Sequence, residues 1–209
     1  MTSPAKDTAQ KSIDELLNPS LDDLRKRFYD AWSTDLTDPE LREDMFGNVR
    51  VQKRLVQQIL QENKVELDEP VRSFAGEREL RFILENNHHD VFTNIGAAWH
   101  SNTLADLVSR GVVKKLFPDL KRASIKFALQ FRDRAIVHGP DLDRQNISLE
   151  QDGMSCFWCW AKALSPAVAK RILLKFPISD RKSDSALDGQ KKILCRSVLT
   201  ALSEQEVKL

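Results

Sequence analysis

Apolar residues recur every three or four positions through most of this 209-residue chain, and this spacing limits its fold more than any other feature. Side chains at this spacing share one face of an α-helix, whereas a half-buried strand alternates at every second residue. No segment alternates convincingly, and 7 glycines and 8 prolines are few for a protein built on tight turns. The sequence therefore predicts an all-α fold of about nine helices with no β-sheet.

Local signals predict where several helices begin and end. Ser12 and Asn18 bound a first short helix, and Ser148 starts a later one. Gly111 stands where a helix ends on a left-handed residue. Pro118 is expected to open a longer helix. At Ser165-Pro166 a cap residue precedes a proline in the first turn of the next helix.

The domain organisation follows from the same pattern. Residues 1–11 are polar and lack periodicity, so we expect a disordered tail. Residues 12–205 are expected to form one all-helical domain. The acidic, proline-containing segment 64–72 is the best candidate for an internal boundary.

The apolar stripes predict the core. Two helices joined at Ser165-Pro166 carry large apolar residues on their inner faces. The residues expected in the core are Trp99, Phe157, Trp160, Leu164, Ile172, Leu173 and Phe176.

Composition excludes several classes of protein. With 41% hydrophobic and 30% charged residues, the chain is globular rather than disordered. The longest run without Asp, Glu, Lys or Arg is 91–105, which is shorter than the roughly 20 residues of a spanning helix. The first residues lack the apolar core of a signal peptide, and three cysteines make a disulfide framework improbable. We therefore expect a cytoplasmic protein without membrane insertion.

The charge is divided unevenly along the chain. Residues 1–110 carry a net charge of −6 and residues 111–209 carry +7. Lys121, Arg122 and Lys126 cluster on one predicted helix, with Arg122 and Lys126 spaced i, i+4. This face is expected to bind an acidic protein surface. The alternatives are a merely solvated face and a nucleic-acid site, but the chain as a whole is not basic enough to favour nucleic acid.

The pair Cys156-Phe-Trp-Cys159 has the spacing of some metal and redox sites. A structural zinc site needs four ligands, and the remaining cysteine, Cys195, stands alone. A thioredoxin-type motif needs a strand before it, and none is predicted. We expect these thiols to be small buried groups.

The run His88-His89-Asp90 provides the alternative function, a helical metal-dependent phosphohydrolase. A metal ion needs more ligands than one doublet supplies, and no histidine precedes His88. Asp90 also has a structural role available as a helix cap. The sequence contains no phosphate-binding loop, nucleophile elbow or HExxH motif. We therefore expect no enzymatic activity, no metal and no cofactor.

Two stretches of the second half resemble a known family. The first runs Ile95-Gly-Ala-Ala-Trp-His100 and continues to Val112-Val113-Lys-Lys-Leu-Phe117. The second runs Gly153-Met-Ser-Cys-Phe-Trp158 and continues to Lys170-Arg171-Ile-Leu-Leu-Lys-Phe-Pro177. Over roughly residues 80–202 the chain resembles the SctK family (YscK and PscK type), accessory proteins of the bacterial type III secretion sorting platform.

The resemblance implies a non-enzymatic adaptor. It implies a place between the cytoplasmic domain of the inner-membrane ring protein (SctD type) and the pod protein (SctQ type). The protein would then lie in the cytoplasm, peripherally associated with the inner-membrane machinery. The first 75 residues show little that matches the family.

Overall fold

The computed structural model describes residues 12–20, 23, 38, 40–41, 44, 47–66, 71, 74–135, 148–176 and 185–206. Within these ranges every regular element is a helix, which confirms the all-α prediction. The described part contains ten α-helices, against about nine expected, and some are as short as a single turn. The predicted tail 1–11 lies outside the described residues.

The helices that the structure describes are numbered in chain order. They are α1 (Ile13–Leu17), α2 (Val49–Glu62), α3 (Glu77–Glu85), α4 (His88–Trp99), α5 (Ser101–Ser109), α6 (Val113–Leu116), α7 (Arg122–Ala128), α8 (Leu149–Ala161), α9 (Pro166–Lys175) and α10 (Asp188–Glu206), with 3-10 helices at Leu129–Arg134 and Ser185–Leu187. Among these described elements, none combines the length and the hydropathy that a membrane span requires.

The helix ends predicted from local signals are largely confirmed. Ser12 caps α1, and its hydroxyl accepts from the backbone N–H of Glu15 at 3.2 Å while the Glu15 carboxylate accepts from the Ser12 N–H at 2.9 Å. Ser148 caps α8 through the N–H of Gln151. Gly111 follows α5 with a φ of +67°, and the N–H groups of Gly111 and Val112 bond the carbonyls of Val108 and Leu107 in a Schellman motif.

One predicted helix start is wrong. Pro118 does not open a helix, because α7 begins at Arg122 with Lys121 as its cap residue. The Lys114 ammonium donates to the carbonyls of Pro118 at 3.3 Å and Leu120 at 3.1 Å. These bonds satisfy carbonyls that the first turn of a longer helix would have used, so the chain runs as a turn here.

The chain divides into two compact units. One contains residues 1–73 and 170–176, and the other contains residues 74–169 and 177–209. The expected internal boundary at 64–72 lies next to this division. That residues 12–205 act as one domain stays a prediction.

The larger unit is built around α4, α8 and α10. Helix α8 makes its most extensive contacts with α4 and then with α10. The rings of Phe92 and Phe157 pack 5.2 Å apart between α4 and α8, and both side chains are fully buried.

The smaller unit is fastened by a buried arginine. Arg171 is 1% exposed, and its guanidinium bonds the carboxylate of Asp14, the side-chain oxygen of Asn18 at 3.5 Å and the carbonyl of Glu66 at 3.1 Å. The Asp14 carboxylate also accepts from the N–H of Val71 at 3.2 Å. Arg171 thus joins α1, α9 and the segment after α2.

The predicted core residues fall into two groups. Trp99, Phe157, Trp160, Ile172 and Phe176 are buried. Leu164 and Leu173 are only half-buried, and Leu174 is buried instead at 2% exposure.

The prediction that Leu173 lies on the buried face of α9 is wrong, because Leu174 takes that place. Leu174 packs with Val65, and three side chains of α2 lie against that pair: Val56, Ile59 and Leu60. Helix α9 therefore buries Leu174, which lies outside the apolar stripe predicted from helical spacing. The predicted set is also divided, because Trp160 and Leu164 belong to the larger unit and Ile172, Leu173 and Phe176 to the smaller one.

Candidate functional site

The basic residues predicted to bind a partner lie on α7 and at the position just before it. Arg122 and Lys126 are exposed and stand one turn apart on this helix. Within the described part of the chain, neither side chain has a hydrogen bond or an ion pair. Lys121 precedes the helix, and its ammonium lies 3.9 Å from the carboxylate of Asp90. Among the described residues, Arg122 and Lys126 are therefore free for a partner, and Lys121 has an exposed acidic neighbour.

An apolar groove opens beside these two cations, between α5, α6 and α7. We call it the α5–α7 groove. Its volume is about 650 Å³. Apolar residues and one glycine form its floor, and three cationic side chains reach its edge. The lining residues are Val108, Gly111, Val113, Ala123, Ile125 and Leu129, with Lys114, Arg122 and Lys126.

The shape of the groove follows from two turns. The Schellman motif at Gly111 ends α5 and redirects the chain into α6. Lys114 then holds the turn before α7 through the carbonyls of Pro118 and Leu120. Val108, close to the first of these turns, is exposed over 45% of its surface.

Sequence reasoning found the cations and missed the groove. Val108 and Val113 are of a residue type that is usually buried, so neither indicated an open surface. Lys114 gave no signal, because its role depends on carbonyls that face it only after the turn has formed. No sequence pattern indicated the site, because the exposure of Val108 depends on how α5 packs.

The histidine run lies in the first turn of α4. Asn87 caps this helix through the N–H of His89, so the predicted capping role of Asp90 is wrong. His89 Nδ1 lies 2.9 Å from Glu150 Oε1, and both side chains are substantially exposed. His88 packs its ring against Phe92 at 5.9 Å. Among the described residues, no three His, Cys, Asp or Glu side chains are placed to hold one metal ion.

The three cysteines lie in and beside the core of the larger unit. Cys156 and Cys195 are fully buried, and burial raises the pKa of both thiols far above the ordinary range. Cys159 is half-buried and donates to Asp188 Oδ1 at 3.3 Å. All three are free thiols. The two buried thiols stay protonated and are poor nucleophiles at neutral pH.

Two buried polar pairs were not foreseen from the sequence. His100 Nε2 lies 2.8 Å from Asp152 Oδ2, and Lys191 Nζ lies 3.0 Å from the Ser155 hydroxyl. A lysine beside a serine can form a nucleophilic dyad. Ser155 and Lys191 are only 6% and 8% exposed, so this serine lies in the interior of the larger unit and not in an open cleft. Both pairs tie neighbouring helices together.

Comparison of the chain with protein-family models, with curated proteins and with solved structures gives no match.

Proposed function

We propose that this protein is a non-enzymatic adaptor of a bacterial type III secretion sorting platform. It links the inner-membrane ring protein of the SctD type to the pod protein of the SctQ type. In this role it lies in the cytoplasm, peripherally associated with the secretion machine. The resemblance over residues 80–202 supports the assignment to this machine.

The observation that carries an adaptor function is the pairing of free cations with an open apolar groove. Arg122 and Lys126 have no partner in the described part of the chain, although the protein contains 31 acidic residues. Beside them, Val108 is left exposed to water. An exposed apolar patch with a charged edge is typical of a protein-binding surface.

The residues behind the family resemblance have structural roles. Gly96, Gly153 and Phe157 lie at the crossing of α4 and α8, Trp99 is buried, and Arg171 is buried in the smaller unit. The resemblance therefore supports a common scaffold. The partner-binding surface lies on a neighbouring part of that scaffold, in α5, α6 and α7.

The phosphohydrolase hypothesis receives no support from the geometry of its three residues. His89 is engaged with Glu150, Asp90 lies near Lys121, and His88 packs on Phe92. The three side chains thus have separate neighbours and do not converge on one point.

A pull-down of the tagged full-length protein from its native host tests the proposal. We expect the SctD-type and SctQ-type proteins to be recovered with it. The double variant Arg122→Glu/Lys126→Glu should lose one of them. A matched control is Lys192→Glu/Arg196→Glu, which reverses an exposed i, i+4 pair on α10. Recovery of neither platform protein with the wild type would overturn the proposal.

A further inference from the structure

We infer that the α5–α7 groove receives an acidic amphipathic helix of a partner protein. The inference rests on the proposed function only for the identity of that partner. The chemistry of the occupant comes from the groove itself.

The apolar floor of the groove favours an occupant that has an apolar face. Val108 is 45% exposed, and Ile125 and Leu129 are half-buried at the same opening. Covering such side chains removes apolar surface from water, which is the main favourable contribution to most associations. The volume of about 650 Å³ falls within the roughly 300–1,000 Å³ of pockets that hold substantial ligands. Several large side chains of a partner can therefore enter it.

The cations at the edge of the groove favour an occupant that carries negative charge. The acidic residues on the elements that form the groove, or on the connections between them, are Asp106, Asp119 and Asp133. Asp106 pairs with Arg110 at 3.2 Å, and in the described part of the chain none of the three forms an ion pair with Arg122 or Lys126. An occupant with carboxylates would supply the missing counter-charges, whereas a basic occupant would meet repulsion.

The spacing of the cations favours a helix. Arg122 and Lys126 are four residues apart on α7, which places them about 6 Å apart along its axis at 1.5 Å per residue. Carboxylates at i, i+4 on a partner helix have the same spacing. A helix lying along α7 can therefore meet both cations while its apolar residues at i, i+3 and i+4 enter the groove.

An anionic lipid fits this surface less well. The groove is open, because Gly111 and Ala123 in its lining are exposed. An acyl chain lying there would keep one side in water, whereas a helix about 10 Å wide covers the opening.

Site-specific photo-crosslinking in the native host tests the inference. The full chain carries p-benzoylphenylalanine in place of Ala123, which lines the groove and is exposed. A matched chain carries it in place of Ile193, an exposed apolar residue on α10. Mass spectrometry then identifies the attached segment. We expect a segment captured only from position 123, with net negative charge and apolar residues at i, i+3 and i+4.

Binding of that segment as a synthetic peptide provides the second measurement. Arg122→Glu/Lys126→Glu should weaken binding about tenfold at low salt, while Lys192→Glu/Arg196→Glu changes it less than about twofold. Val108→Ser should also weaken binding, and Ile193→Ser should not. Circular dichroism of each variant checks that the helices are intact. A lipid adduct, a neutral or basic segment, or no adduct specific to position 123 would overturn the inference.

The two proposals fail in different ways. If the platform proteins are recovered in the pull-down but position 123 captures no acidic helix, the groove inference falls and the adaptor function stands. If position 123 captures an acidic helix from a protein outside the secretion machine, the assignment to that machine falls and the inference about the groove stands.

Discussion

Gly96 in α4 and Gly153 in α8 lie against each other's helix backbone. A Cβ atom on Gly96 would lie 1.8 Å from the carbonyl oxygen of Leu149, and one on Gly153 would lie 1.8 Å from that of Phe92. No side chain fits at such distances. The two helices therefore approach this closely only because both crossing positions are glycine.

Replacing either of these glycines with alanine should destabilise the larger unit. Alanine favours an isolated helix by about 1 kcal/mol over glycine, but here its methyl group would push α4 and α8 apart. We expect Gly96→Ala and Gly153→Ala each to lower the free energy of unfolding by about 2–4 kcal/mol in urea denaturation.

Gly189 in α10 is the control for this effect. A Cβ atom there has nothing within 4 Å, and the residue has no positive φ. Gly189→Ala should be neutral or stabilising by up to about 1 kcal/mol. An unchanged denaturation midpoint for Gly96→Ala would show that the crossing can relax.

The register of α9 can be tested with two adjacent leucines. Leu174 is 2% exposed and packs with Val65, whereas Leu173 is half-buried. Leu174→Ala should cost about 3 kcal/mol of unfolding free energy, and Leu173→Ala about 1 kcal/mol. Chemical denaturation of both variants measures the difference. If Leu173→Ala proves the more damaging change, the single-stripe assignment from the sequence was correct.

The two buried thiols should make stability depend on pH in the alkaline range. Burial raises the pKa of Cys156 and Cys195, so both stay protonated in the native state while they ionise near pH 8.5 in the unfolded chain. Above that pH the unfolded state binds fewer protons than the native state. The free energy of unfolding therefore falls as pH rises, by up to about 1.4 kcal/mol per pH unit for each thiol.

Denaturation midpoints between pH 7.5 and 9.5 measure this dependence. The wild type should lose stability over this range faster than Cys195→Ala, which lacks one of the thiols. Below about pH 8 the two curves should run parallel, because thiols are protonated in both states there. Parallel curves throughout would show that Cys195 ionises normally in the folded protein.

Two carboxylates of α8 each lie beside a histidine from another part of the chain, and the two pairs differ mainly in burial. His100 and Asp152 lie 2.8 Å apart in the interior, and His89 and Glu150 lie 2.9 Å apart at the surface. Asp152→Ala should cost about 2–4 kcal/mol, because it leaves His100 buried without this partner. Glu150→Ala should cost less than about 1 kcal/mol, since water replaces the lost contact. Equal losses in thermal or urea unfolding would contradict this ranking.

The sequence by itself determined the helical class and many helix ends. The cap at Ser12, the left-handed Gly111 and the start at Pro166 each depend on groups within a few residues of one another. Such signals are local, so they can be read from neighbouring residues alone. The cluster of Arg122 and Lys126 was also visible, because helical spacing alone places both residues on one face.

Only the tertiary structure decided which faces meet and which stay open. His100 and Asp152 are 52 residues apart in the chain, and no local sequence pattern predicts that they form a pair. The same holds for Gly96 and Gly153. The groove beside Arg122 was not visible either, because the exposure of Val108 depends on how α5, α6 and α7 pack. Burial depends on how whole helices pack. An apolar stripe predicts that one face of a helix is buried, but it does not predict which other helix covers that face.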